Sequence, residues 1–281
     1  MKKLLTLVLT LTMTLSLAAC GNDSNKEQSN DPDGDAASIV YAVEAGSAGE
    51  SVANEKGFQV NSVTSQADAL MEVQSGTSDA AIIDSLMAGA MVGEGTSYPN
   101  LKVTDQKLTS EYYGVGCRQG SDLAPLVTAL FAELDANGTL AQMAETYGVQ
   151  DALLPQADAE QIFQKLVEDT EAEVEETVEG DLQYIKDKGT LIVGMTEFEP
   201  MDYKNDKGEW IGFDADLAKQ VAKKLGVEVQ FLVIDWDRQL EELNSKNVDI
   251  LWNGMTLNQA RLSTMNCSVP YCNNAQVVVT K

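Results

Sequence analysis

With 281 residues the chain is long enough for two α/β lobes, each with a core of its own. Its 44 acidic residues against 19 basic ones leave a net charge of −25, which argues against nucleic acid or an anionic lipid surface as partner. The absence of histidine excludes Ser-His-Asp catalysis, imidazole acid–base chemistry and His-ligated zinc, and the four cysteines show no zinc-like CxxC spacing, so neither a metal nor a cofactor is expected.

In chain order, Met1-Lys2-Lys3 is a basic start, Leu4 to Leu17 an apolar, Thr-rich run, and Leu17-Ala18-Ala19-Cys20 places small residues before a cysteine. This resembles a bacterial lipoprotein signal (residues 1–20), which implies cleavage before Cys20, a lipid on its sulfur and an extracytoplasmic protein anchored to the cell membrane. The apolar run is too short to span a bilayer comfortably. Residues 21–37, rich in Asn, Asp, Ser and Gly, cannot bury a core and read as a flexible tether.

Ser38 to Val43 predicts a strand, and Glu44-Ala45-Gly46-Ser47-Ala48-Gly49-Glu50 a turn into a helix through Lys56. Strand, small-residue turn and helix make an anion-binding geometry: Gly46 permits close approach and Ser47 offers a hydroxyl. Ser65 with Asp68 forms a capping box for a helix with Ala69, Leu70 and Val73 inward, stopped near Gly76. Asp79 to Ile83 predicts a buried strand with Asp84 at its carboxyl end, where parallel sheets bind ligands; Asp84 could also cap the helix that follows. Tyr112 to Arg118 predicts a further strand. Ser121 or Asp122 then caps a helix carrying Leu123, Val127, Leu130 and Leu134, and another helix carries Leu140, Met143 and Tyr147.

Residues 156–181 hold ten acidic residues against Lys165 alone. Ile162, Phe163, Leu166, Val167, Val174 and Val178 share one side of a helical plot, predicting an amphipathic helix with a solvated acidic face. Thr190 to Met195 predicts a parallel strand; Asp214 is expected to cap a helix carrying Leu217, Val221 and Leu225; Glu228 to Val233 is the next strand. Asp249 to Thr256 then reads as a buried strand running into a turn and a short helix with Arg261 in its first turn. Backbone N–H groups at Gly254 and Thr256, the Thr256 hydroxyl and the Arg261 guanidinium form a second anion site, suited to a carboxylate. Cys267 and Cys272 could bridge around Pro270, although buried free thiols at 117, 267 and 272 are the default expectation.

Five landmarks, Gly189 to Thr196, Glu199-Pro200-Met201-Asp202-Tyr203, Gly212 to Lys219, Val248 to Arg261 and Ser268-Val269-Pro270-Tyr271, lie in the order and spacing of the first half of a family 3 extracytoplasmic solute-binding protein, the amino-acid-binding component of ABC importers. Residues 38–155 resemble that family's second half. The resemblance implies an α/β, two-lobed, type II periplasmic-binding-protein-like fold with a cleft between the lobes, and the inverted order of the halves implies a circular permutation. Lobe 2 would be residues 38–113 and lobe 1 residues 114–281, with 156–181 joining the old termini.

Carried onto this sequence, the resemblance implies that Arg261, Thr256, Gly254, Gly46, Ser47 and the backbone of Ala48 receive a ligand carboxylate. Asp84 would accept its ammonium, and Phe198 and Trp236 would line the side-chain pocket. It further implies a monomeric receptor for a free L-amino acid with a polar or charged side chain, closing on its ligand and docking on an ABC permease and ATPase complex. Where the family usually has a second hydroxyl residue, this chain has Ala48. A sensor subunit, or a hydro-lyase on the same fold using Glu197 or Glu199, are the alternatives.

Overall fold

The computed structural model describes residues 39–172 and 180–281. Cys20, the tether and Ser38, and at the acidic joint Val174 and Val178, lie outside the described residues. The chain alternates strand and helix: β1 (Val40–Glu44), α1 (Ala48–Glu55), β2 (Gln59–Val63), α2 (Gln66–Ser75), β3 (Ala80–Asp84), α3 (Ser85–Met91) and β4 (Lys102–Lys107). β5 (Glu111–Cys117), α4 (Leu123–Ala136), α5 (Thr139–Tyr147), α6 (Gln156–Thr170) and α7 (Asp181–Lys188) follow. Next come β6 (Thr190–Met195), the short pair β7 (Tyr203–Lys204) and β8 (Trp210–Ile211), α8 (Phe213–Leu225), β9 (Glu228–Val233), a 3-10 turn (Trp236–Arg238) and α9 (Gln239–Asn244). β10 (Ile250–Thr256), α10 (Gln259–Thr264), β11 (Asn266–Cys267), β12 (Cys272–Asn274) and β13 (Gln276–Thr280) complete the described chain.

Two sheets organise these elements. One runs β2-β1-β3-β13-β4; the other runs β11-β5-β10-β6-β9, with β12 also on β5. Parallel pairing of β1 with β2 and β3, and of β6 with β9 and β10, follows from helical crossovers between consecutive strands. The result is the two-lobed, type II α/β arrangement. The chain passes between lobes twice, at 108–110 after β4 and at Ala275 between β12 and β13. These passages lie side by side: the Leu108 amide donates to the Gln276 carbonyl at 2.8 Å, and Tyr112 pairs with Asn273.

That pairing corrects the assignment of all of 114–281 to one lobe. β12 pairs with Glu111–Tyr113, whereas β13 crosses over and lies antiparallel between β3 and β4. A strand leaving the hinge in extended form finds an open edge on the other sheet and fills it. The acidic joint also differs from a single helix running to 180. α6 ends at Thr170 on Glu171 in left-handed conformation, and its inner residues Phe163, Leu166 and Val167 pack against the apolar cluster that includes Leu257 and Leu262.

Local signals account for several helix ends. Ser65 accepts from the Asp68 amide at 3.0 Å and α2 stops on left-handed Gly76, as the capping box predicts. Asp214 does not cap α8: Gly212 occupies that position, and Asp214 is buried, accepting from the Gly254 amide at 2.7 Å and the Tyr271 hydroxyl at 2.8 Å. Nor does Asp84 cap α3 through its side chain, which turns into the cleft instead. Trp252 packs as core against Phe131 and Tyr271, and the three cysteines 117, 267 and 272 are free and buried.

The lobe built on β5 and β6 is tied to the acidic joint by Arg118. Its Nε donates to Asp181 at 3.0 Å, its Nη1 donates to the carbonyls of Val248 and Leu243 at 2.9 and 3.2 Å, and Asp249 lies 3.7 Å away. Removing one member of a buried network leaves the others charged and unpaired. Arg118→Ala is therefore expected to lower unfolding free energy by about 3–5 kcal/mol, measurable by urea denaturation.

Candidate functional site

Between the lobes, at the carboxyl ends of β1, β3 and β10, Glu44, Ser47, Ala48, Gln66, Asp84, Trp236, Asn253, Gly254, Met255, Thr256 and Arg261 surround one small cavity. Its free space is about 10 Å³, room for about one water. An amino acid can enter this arrangement only if the lobes part and close again around it.

Arg261 is held by the α10 turn, whose cap Asn258 accepts from the Arg261 amide at 3.0 Å. Its guanidinium donates to the Thr256 carbonyl at 2.9 Å and, across the cleft, to the Gly46 carbonyl at 3.2 Å, with the Trp236 ring centroid 5.8 Å away. Among the described residues no carboxylate lies within ion-pair distance of it. Burial pushes its pKa down, and Glu111, Asp84 and Glu44 push back from a distance. A buried guanidinium held by carbonyls alone keeps donors and charge for an anionic group.

Asp84 lies opposite. One carboxylate oxygen accepts from the Tyr113 hydroxyl at 2.7 Å, the Gln276 amide at 3.0 Å and the Asn274 amide; the other accepts from the Gln66 amide. Burial, then the nearby Glu111, raises its pKa to about 7. Glu111, at the hinge, accepts from Thr256 Oγ1 at 2.9 Å and from the same Asn274 and Gln276 amides at 3.0 and 3.1 Å. Two buried carboxylates thus share two amide donors at the point where the chain crosses between lobes.

The structure brings Arg261, Thr256, Gly254, Ser47, Ala48, Trp236 and Asp84 to one cavity. It differs from the sequence expectation at three of the predicted residues. Phe198 is not on the cavity wall: it is buried edge-on to Tyr113, beneath Gly254. The Gly254 amide is occupied by Asp214. Gly46 does not line the cavity either; its amide donates to Glu50 Oε2 at 2.8 Å and its carbonyl serves Arg261. Ser47 caps α1, accepting from the Glu50 amide at 3.0 Å.

Glu44, Gln66, Glu111, Asn274 and Gln276 were not expected at the site. Glu44 had the same signal as Asp84, a carboxylate at the carboxyl end of a parallel strand. The two amides on the return crossover carry no motif. Glu44 is buried, its Oε1 has no hydrogen-bond partner, and burial raises its pKa to about 8, moderated by Thr196 across the cleft. Glu197 and Glu199, the acids considered for catalysis, are absent from this cavity; Glu197 lines a separate groove with Thr64, Asp68 and Glu242.

The profile of the bacterial extracellular solute-binding proteins, family 3, matches residues 191–281. Over this stretch the chain is similar to that family. The L-cystine-binding protein TcyJ of Escherichia coli K12 is 37% identical over 94 residues, covering 33% of this chain and 35% of its own length. The cyclohexadienyl dehydratase of Pseudomonas aeruginosa is 27% identical over 103 residues, 36% of this chain and 38% of the enzyme. Among solved structures, an ancestral cationic amino acid solute-binding protein shares 40% identity over 29% of this chain and 36% of its own, with a TM-score of 0.28. The chain thus spans about a third of the length of the curated relatives it matches. No helix among the described residues is long and apolar enough to cross a membrane.

Proposed function

We propose that this protein is an extracytoplasmic receptor that captures a free L-amino acid by lobe closure. The observation that carries this reading is the opposition, across one cavity, of a guanidinium without a carboxylate partner and a buried carboxylate, Arg261 and Asp84. An α-amino acid carries a carboxylate and an ammonium on one carbon, so it answers both. Ser47, Ala48 and Thr256 flank the carboxylate position, and Trp236 forms the flat wall for the side chain. Because the two charged groups come from different sheets, the closed state alone engages both ends of the ligand, and binding favours closure.

On the same reading, the closed form is delivered to an ABC permease and its ATPase, the protein acts as a monomer, and lipid on Cys20 holds it at the cell membrane. The order of its halves is a circular permutation, with α6 and α7 flanking the joint between the old termini. Binding is favoured over hydro-lyase chemistry because neither Glu197 nor Glu199 lines the Arg261 cavity.

The test is calorimetric titration of the chain with each proteinogenic L-amino acid. One of them is expected to bind with micromolar or tighter affinity, and Arg261→Ala to weaken it at least about 100-fold, as removal of a charge-assisted bidentate partner requires. Silence across the panel from folded protein would refute the reading.

A further inference from the structure

Asp84 and Glu111 meet where the chain crosses between lobes. The Asn274 amide nitrogen donates to Asp84 Oδ1 and, at 3.0 Å, to Glu111 Oε2; the Gln276 amide nitrogen bridges the same two oxygens at 3.0 and 3.1 Å. Each amide nitrogen carries two hydrogens, so both side chains are fully committed to this one pair of oxygens. Tyr113 adds a third donor to Asp84 Oδ1 at 2.7 Å, and Thr256 a third to Glu111 Oε2 at 2.9 Å. Shared donors hold the two acids close together in a buried place, where like charges repel strongly. Thr109 Oγ1 lies 2.8 Å from Glu111 Oε1, and a hydroxyl there can donate to a carboxylate or accept from a carboxylic acid, so the pair can take up a proton without losing a bond.

The surrounding charges favour that proton. Glu44 ends β1 beside Asp84 on β3, and Glu55 of α1 and Asp169 of α6 line the groove that Glu111 borders. Lys107 lines the groove on the other side of the crossover, and Arg261 acts on both acids from a distance. Burial and then Glu111 raise the Asp84 pKa to about 7, with the hydrogen bonds from Tyr113, Gln66 and Gln276 pulling the other way. An ammonium docked on Asp84 reverses the balance, because a positive charge at that position favours the ionised form of both acids.

Resting on the receptor reading, we propose that Glu111 is a positioning residue for the ammonium site: it shares one proton with Asp84 in the free protein, and docking of the amino acid's ammonium on Asp84 drives that proton into solvent. The proton passes from the carboxyl pair to bulk water, and the ligand keeps its own. The experiment is calorimetry on the full chain with the member of the proteinogenic L-amino acid panel that binds most tightly, in phosphate and in imidazole buffer, whose different heats of ionisation count the protons. About one proton is expected to be released per amino acid bound at pH 6, and affinity to rise about tenfold between pH 6 and pH 8. Glu111→Gln is expected to cut that rise to less than about threefold, because Asp84, freed of a like charge, then titrates lower. A residue that only braced the hinge would change affinity equally at every pH. Glu44→Gln is expected to leave the rise in place. Binding without proton release, a rise undiminished in Glu111→Gln, or a rise that disappears in Glu44→Gln would overturn the proposal while leaving the receptor reading intact; no binding to any amino acid would remove both. Should Glu111→Gln fail to fold, infrared difference spectra of the wild type and Glu44→Gln at pH 6 decide: part of the carboxylic-acid C=O band must be lost when the same amino acid is added, and a band unchanged by it would overturn the proposal.

Discussion

Gly46→Ala is expected to weaken amino-acid binding by about 100-fold or more while leaving the protein folded. A Cβ at position 46 would sit 2.4 Å from Asp237 Cα and 2.8 Å from its amide nitrogen, both backbone atoms of the opposite lobe. Backbone cannot yield as a side-chain tip does, so the clash is relieved by holding the lobes apart. Opening also breaks the 3.2 Å bond from Arg261 to the Gly46 carbonyl. The local cost is modest by comparison: φ of +73° at this residue adds about 1–2 kcal/mol of strain for a residue with a Cβ, confined to a turn. Calorimetry should show the loss of affinity, and small-angle scattering with saturating ligand should show the compaction of the wild type but not of the variant. Unchanged affinity would mean that closure at Gly46 and Asp237 is not part of binding.

Raising the pH should destabilise the ligand-free protein well before ordinary alkaline denaturation. Four buried carboxyls are displaced upward, in each case chiefly by burial: Glu44 to about 8, Asp84 to about 7, Asp214 to about 7 and Asp202 well above its usual range, the last also through Asp214 beside it. A carboxyl whose folded value exceeds its unfolded one binds its proton more tightly when folded. Its stabilising contribution is complete below about pH 4 and disappears as pH rises through the folded value, so unfolding free energy falls between about pH 5 and 8. One such displacement of about three pH units is worth on the order of 4 kcal/mol, and mutual coupling makes the total less than the sum. Thermal unfolding followed from pH 5 to 9 should show a falling midpoint, with a shallower slope in Glu44→Gln. A midpoint constant or rising over that range would refute the assignment.

Fold class was legible because alternation of buried strands and amphipathic helices is a local property of sequence. The helix over 66–75 shows this: Ser65, Asp68 and Gly76 state its start and stop within a dozen residues, and tertiary context does not alter them. The short helix bearing Arg261 and the buried strand at 250–256 were readable for the same reason. Asp214 was misread because its position, one residue into α8, looks like a cap, while Gly254 and Tyr271, 40 and 57 residues away, claim its carboxylate. Phe198 lies off the cavity wall because its ring fills the space beneath Gly254, where no side chain stands, and packs edge-on to Tyr113.

By itself the sequence determined which segments become strands and helices, that Ser65 caps its helix, that imidazole chemistry is impossible, and that Asp84 stands at a strand end and Arg261 in the first turn of the helix after a buried strand, both suited to charged ligands. Only the tertiary structure decided that β13 returns to the first sheet, bringing Asn274 and Gln276 onto Asp84 and Glu111. It alone decided that Glu44 is left with an unpartnered oxygen. The physical reason is range: propensity, capping and periodicity act over a few residues, whereas hydrogen-bond satisfaction and charge compensation depend on groups brought together from more than a hundred residues apart.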